Sequence, residues 1–212
     1  MTYLISTLIF AVVGTAQLNI FEIEGIFSNA HINALEGHIE EYEYTDDDLL
    51  ILQYSSQEGS AESIAELNSL LSGYDFPIGV WFGPYKISID FEQLNNFDYI
   101  GFSPGLEINN VSFDESVEKK YCTINICNFE ERKIIVSTNE GIYDNYLIVG
   151  TLGSFIENID FVISDQSIEF FKPSLFERFY IAISNPIFTY MFFVLGFSLI
   201  GLELFDIGPG LM

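Results

Sequence analysis

Residues 46–82 read DDDLLILQYSSQEGSAESIAELNSLLSGYDFPIGVWF, and this stretch decides the fold class. Leu49 to Gln53 (LLILQ) is a short continuous apolar run, the composition of a parallel strand buried on both faces. A polar loop follows it. Gly59 to Leu71 then spaces Ile64, Leu67 and Leu71 three and four residues apart, which places them on one face of a helix, and Gly73 ends that helix. Phe76 to Phe82 (FPIGVWF) is the next strand. Strand, helix and strand in close succession predict a right-handed crossover between parallel neighbours, and therefore an α/β domain.

The pattern extends in both directions. Upstream, Leu18 to Glu24 (LNIFEIE) alternates apolar and polar residues as a half-buried strand does, and Gly25 breaks it. Ser28 can cap a helix from Ala30 to Tyr42 whose inner face carries Ile32, Leu35 and Ile39. His31 and His38, seven apart on that helix, read as solvated positions. Downstream, Phe97 to Phe102 and Asn145 to Val149 are strands, Thr151 to Ile159 is a helix, and Asp165 to Glu177 reads as a linker.

Seven Lys and Arg against 31 Asp and Glu give a formal net charge of -24. Such a surface repels nucleic-acid phosphates, so nucleic-acid binding is excluded, and the acid excess reads as a solvated face. Asp46-Asp47-Asp48 lacks the spaced oxygens and turn glycine of a calcium loop. No metal site and no cofactor is expected. If Tyr121 to Cys127 is one extended strand, Cys122 and Cys127 stand roughly 16 Å apart and read as two buried free thiols. They could bond only across a turn.

Both ends of the chain are apolar. Met1 to Ala16 (MTYLISTLIFAVVGTA) ends in small residues at Gly14 and Ala16 and reads as a signal peptide, cleaved after Ala16. From Ile187 to Leu202 no residue is charged, and this segment reads as a membrane span. Pro186 suits its first turn, Asn185 its cap, Gly196 and Gly201 are tolerated inside such helices, and Glu203 marks its far end. The expected organisation is a signal peptide over 1–16, an extracytoplasmic domain over 17–165, a linker and membrane-entering segment over 166–185, and a first span over 186–212. Truncation of a longer membrane protein is also expected from the stop at Met212.

Phe21 to Gly25 (FEIEG), Asp48 to Gln53 (DLLILQ), Phe76 to Pro84 (FPIGVWFGP), Asp98 to Gly105 (DYIGFSPG), Gly141 to Asp144 (GIYD), Pro173 to Pro186 (PSLFERFYIAISNP) and GLELF running into Gly208 to Gly210 occur in an order that resembles the N-terminal half of the NfeD family. Those are membrane proteins with a ClpP-class, crotonase-like domain outside the cytoplasm. The resemblance is weak over Leu106 to Asn139. It implies a ClpP/crotonase-like α/β domain followed by a transmembrane helix, at the cell membrane. It also implies homo-oligomerisation and a stomatin- or flotillin-like membrane partner.

Active members of the family look like Ser-Lys proteases, in which a neutral lysine amine takes the proton of an attacking serine and glycine N–H groups hold the oxyanion. The glycine-rich loop expected after the second strand is here Tyr54-Ser55-Ser56-Gln57-Glu58-Gly59, with Gly59 as its one glycine. The small-residue nucleophile site expected after Gly83-Pro84 is here Tyr85-Lys86-Ile87-Ser88-Ile89-Asp90. Ser88 is the nearest candidate nucleophile, set against a surface serine on a helix, and Lys119 or Lys120 its candidate base, set against solvated lysines. Degeneration of both patterns favours a membrane-anchored, non-catalytic interaction module. The alternative is a membrane-bound Ser-Lys serine endopeptidase. A third reading, an anchored solute-binding domain, rests on twelve Tyr and 21 Phe, of which Tyr42, Tyr44 and Phe171 read as surface or lipid-interface residues.

Overall fold

In the computed structural model, residues 17–59, 61–89, 91–161, 168–184 and 186–205 are described. The expected signal peptide, the Asn185 cap and residues 206–212 lie outside them. In chain order the elements are β1 (Leu18–Phe27), α1 (Asn29–Tyr42), β2 (Leu49–Gly59), α2 (Ala61–Leu71), β3 (Ile78–Phe82), β4 (Ile87–Ser88), a 3-10 turn (Phe91–Asn96), β5 (Tyr99–Phe102), β6 (Glu107–Asn109), α3 (Glu115–Tyr121), β7 (Ile126–Asn128), β8 (Lys133–Ile135), β9 (Gly141–Tyr143), β10 (Tyr146–Ile148), α4 (Leu152–Asn158), β11 (Ile168–Phe171), α5 (Leu175–Ser184) and α6 (Pro186–Phe205).

Seven strands form one sheet in the order β11-β1-β2-β3-β5-β10-β9. Every adjacent pair is parallel except β9 with β10, as the crossovers predict. A parallel strand alternates its side chains between two covered faces, and the two apolar clusters follow that alternation. Phe21, Leu50, Leu52 and Val80 pack with Ile32, Leu35 and Ile39 of α1 and Ile64, Leu67 and Leu71 of α2 on one face. Leu18, Ile20, Leu49, Ile51 and Trp81 face the other way, with Phe155 of α4. The apolar faces assigned to both helices from spacing are thus the buried ones.

Two strands outrun their expected ends. Gly25 does not stop β1; it carries φ +78°, which glycine adopts without Cβ strain, and a bulge at Gly25/Ile26 lets the strand continue to Phe27. The Ser56 hydroxyl completes the bulge, donating to Gly25 O and accepting from Phe27 N–H at 3.2 Å. The polar run Tyr54 to Gly59, expected as a loop, therefore pairs with Ile23 to Phe27 as strand.

Four short strands between Ile87 and Ile135 build a second sheet in the order β4-β6-β8-β7. Cys122 caps α3 and the chain turns back before β7, so the two cysteines come within 5.7 Å between Cα atoms and are disulfide-bonded. This corrects the expectation of free thiols: the segment is a helix end and a turn, not one extended strand.

The segment expected as a linker holds β11, which pairs with Leu18 to Phe21 of β1, and then α5. Among the described residues no single helix is long and apolar enough to cross a membrane. Leu175–Ile183 and Ile187–Glu203 meet that requirement only together, bent by 73°.

Candidate functional site

Open parallel sheets bind ligands at the carboxyl ends of their strands, which is where the expected site would lie. The last full row of this sheet runs Ile23, Tyr54, Phe82, Phe102 and Ile148 across five strands. Cross-strand neighbours share a face, so these side chains stand together, and all five are buried. Tyr54 and Phe82 lie 5.4 Å apart by ring centroid, and Phe82 stacks on Phe102 at 5.6 Å. Phe102 continues to Tyr146 at 5.6 Å, and Tyr146 stacks on Tyr121 of α3 at 5.2 Å. Burial pushes the Tyr54 and Tyr146 hydroxyls up to about 12, so both stay protonated near neutral pH.

Just beyond this row the backbone donors are already engaged. Gly83 N–H donates to Tyr54 O at 2.9 Å, Ser103 N–H to Phe82 O at 2.9 Å and Val149 N–H to Phe102 O at 3.0 Å, each extending the ladder by one bond. An oxyanion hole requires donors free to turn toward the reacting oxygen. Gly83 is buried, and a Cβ placed there would lie 3.4 Å from Tyr54 O and 3.6 Å from the Tyr85 ring.

Ser88 lies in the two-residue strand β4, not on a helix, and its Oγ accepts a hydrogen bond from Asn110 Nδ2 at 2.8 Å. Lys119 and Lys120 occupy the last turn of α3, where cations meet the negative end of the helix dipole. Asp114 starts that helix, accepting from Val117 N–H at 2.7 Å, a bond that holds its carboxyl below the usual range. Lys120 stands 5.4 Å over the Tyr121 ring. Both lysines line an open cleft of about 570 Å³ with Tyr143, Asp144 and Asn145. The lysines thus face the β9–β10 hairpin, while Ser88 faces Asn110. Gly59 ends β2 opposite Phe27.

Two groupings were not legible in the spacing. Glu107 Oε2 lies 2.9 Å from Lys86 Nζ and 3.0 Å from Lys133 Nζ. Hydrogen bonds from Lys86 and then Lys133 hold its carboxyl below the ordinary glutamate value. Only the pairing of β6 with β8 brings Lys133 within reach. The second grouping is a cleft of about 370 Å³ between β1 and α5, lined by Glu22, Glu24, His31, Lys172, Arg178 and Ile181 among others. Burial, and then the charge of Glu24, raise the Glu22 carboxyl.

His31 is not a solvated position, and His38 is half-buried. His31 is 2% exposed; its Nε2–H donates to Glu24 O at 3.0 Å, and burial holds its pKa below the ordinary value. It is enclosed because the first turn of α1 folds over the Gly25 bulge. His38 stacks on Phe171 at 4.0 Å, a contact made only because β11 adds to the sheet edge. Phe171 in turn stacks on Phe21 at 5.4 Å and Tyr44 on Phe76 at 4.4 Å, so both cover the core. Among the described residues no group of three or more His, Cys, Asp or Glu is placed to hold a metal ion.

No protein-family model and no curated protein sequence matches this chain. Its fold is similar to solved structures of a 1510-N membrane-bound stomatin-specific protease. An alanine mutant of that protease in complex with a substrate peptide is 8% identical, with a TM-score of 0.56, over 82% of this chain and 100% of that one. A second structure, described as a 1510-N membrane protease specific for a stomatin homologue from Pyrococcus horikoshii, is 10% identical, with a TM-score of 0.56, over 81% of this chain and 100% of that one. At such identity the likeness is one of fold alone, a mixed α/β fold.

Proposed function

We propose that this chain is a membrane-anchored, NfeD-like protein whose ClpP/crotonase-like domain stands outside the cytoplasm and serves as a non-catalytic interaction module of the membrane. The observation that carries the reading is the aromatic filling of the sheet's carboxyl end by Tyr54, Phe82 and Phe102, with Gly83 N–H engaged by Tyr54 O. A Ser-Lys mechanism needs a serine within hydrogen-bond reach of its base and donors aimed at the oxyanion. Ser88 is bonded to Asn110 instead.

Support for the membrane setting comes from the exposed apolar surface of α6, and for the extracytoplasmic side from the Cys122–Cys127 bond, since disulfides persist in oxidising compartments. A stomatin- or flotillin-like partner is proposed because the fold neighbours are described as specific for stomatin. Homo-oligomerisation through the α/β domain belongs to the same proposal.

The test is covalent labelling of the purified, detergent-solubilised full chain with a fluorophosphonate, in parallel with Ser88→Ala. No serine-dependent label is expected. A label that disappears in Ser88→Ala would replace this proposal with the endopeptidase, with Lys119 or Lys120 as base.

A further inference from the structure

α5 and α6 present two different kinds of surface. α5 begins with a reciprocal cap: Ser174 N–H donates to Glu177 Oε2 at 2.6 Å and Glu177 N–H donates to Ser174 Oγ at 3.4 Å. At 3.6 residues per turn, Leu175, Phe176, Phe179, Tyr180 and Ile183 fall within one stripe of roughly 140°. The first four are 83%, 79%, 60% and 67% exposed. The other side carries Glu177, Arg178 and Ile181, of which Arg178 and Ile181 line the cleft beside β1. α6 is apolar on every side, with Phe188, Tyr190, Phe193, Leu195, Phe197 and Leu199 all exposed.

These surfaces call for different solvents. A helix apolar all round is at home in hydrocarbon, whereas a helix with one aromatic-rich apolar stripe and charges opposite lies in the head-group layer. The two helices are bent by 73° with respect to one another, so they do not form one straight rod.

We infer that α5 is an interfacial helix, seated about 5–10 Å into the head-group and acyl boundary by Leu175, Phe176, Phe179 and Tyr180, and that it holds the α/β domain against the membrane surface. The inference rests on α6 being membrane-inserted, as proposed above. Lipid is the occupant because the stripe leads into α6 across the single residue Asn185. The lipid is zwitterionic, since an anionic surface would repel a chain of formal net charge -24.

The experiment uses the full chain reconstituted in phosphatidylcholine vesicles, with lipids brominated at shallow or deep acyl positions as quenchers. Trp81, the one native tryptophan, is 6% exposed within the domain and gives a constant background. In Leu195→Trp the new emission is expected to be quenched most by deep bromines. In Phe176→Trp the expected result is at least twofold stronger quenching by shallow than by deep bromines. No quenching of Phe176→Trp while Leu195→Trp is quenched would overturn the inference, because protein then covers the stripe. Deep quenching at both positions would also overturn it, because α5 would then be part of the span. Absence of quenching at Leu195→Trp would remove the anchoring proposal itself, and this inference with it.

Discussion

Cys122 and Cys127 are bonded across the turn between the end of α3 and β7, with Cα atoms 5.7 Å apart. The closed loop is short, so on a chain-entropy estimate the bond is worth only about 2 kcal/mol. Cys122→Ser/Cys127→Ser should lower the unfolding free energy of the detergent-solubilised protein by that amount in urea titration. Native protein should also react with a maleimide only after reduction. Labelling of both thiols without reductant would show that the bond does not form.

Gly101 in β5 has no room for a side chain. A Cβ there would lie 2.6 Å from Phe155 Cδ2 and 2.8 Å from Trp81 Cδ1, and neither ring is the end of a flexible chain. Gly101→Ala should therefore destabilise the fold by about 1–3 kcal/mol, the usual cost of overpacking. Trp81 fluorescence should shift with it. An unchanged thermal midpoint would contradict this packing.

Asp48 is 6% exposed and accepts three bonds, from Gln17 N–H and Thr45 N–H at 2.9 Å each and from the Thr45 hydroxyl at 2.8 Å. It joins the start of β1 to the start of β2. Asp48→Ala leaves those donors unmet and should cost about 1–3 kcal/mol, whereas Asp46→Ala and Asp47→Ala, at exposed positions, should stay within about 0.5 kcal/mol. Equal effects at all three positions, measured by urea midpoint, would count against the assignment.

His31 gives the fold a pH dependence of known sign. Burial lowers its folded pKa, so below the unfolded value of about 6.5 the unfolded chain binds the extra proton and stability falls as pH falls. Above that value the contribution is fully present. The stability of wild type relative to His31→Gln should therefore shrink between pH 7 and pH 5.5. A constant difference would mean that His31 titrates as it does in the unfolded chain.

The βαβ core was legible because its signals are local. Leu49 to Gln53 and Phe76 to Phe82 are continuous apolar runs, and Ile64, Leu67 and Leu71 repeat at helical spacing. What escaped depends on partners distant in the chain. Ile168 to Phe171 is a strand because it adds beside Leu18 to Phe21, and in isolation it resembles a linker. The run Tyr54 to Gly59 is strand because Ser56 completes a bulge around Gly25, 31 residues earlier. His31 and His38 look solvated from the helical spacing, whereas His31 is buried against Glu24 and His38 half-buried against Phe171, both outside the helix. Of the candidate site, the sequence offers only departures from the expected pattern, Tyr85 and the single Gly59. The row of rings at the sheet's carboxyl end required the register of three strands.

The position of β11 has a mechanical consequence. It lies parallel to β1, and its carboxyl end passes through Lys172 to Ser174 into α5 and α6. Tension on the C-terminal helices is therefore applied along the strand axis, and the β11–β1 hydrogen bonds resist it together in shear instead of opening one at a time. In single-molecule pulling from the C-terminal end, detachment of β11 should be the first rupture, ahead of the remaining sheet.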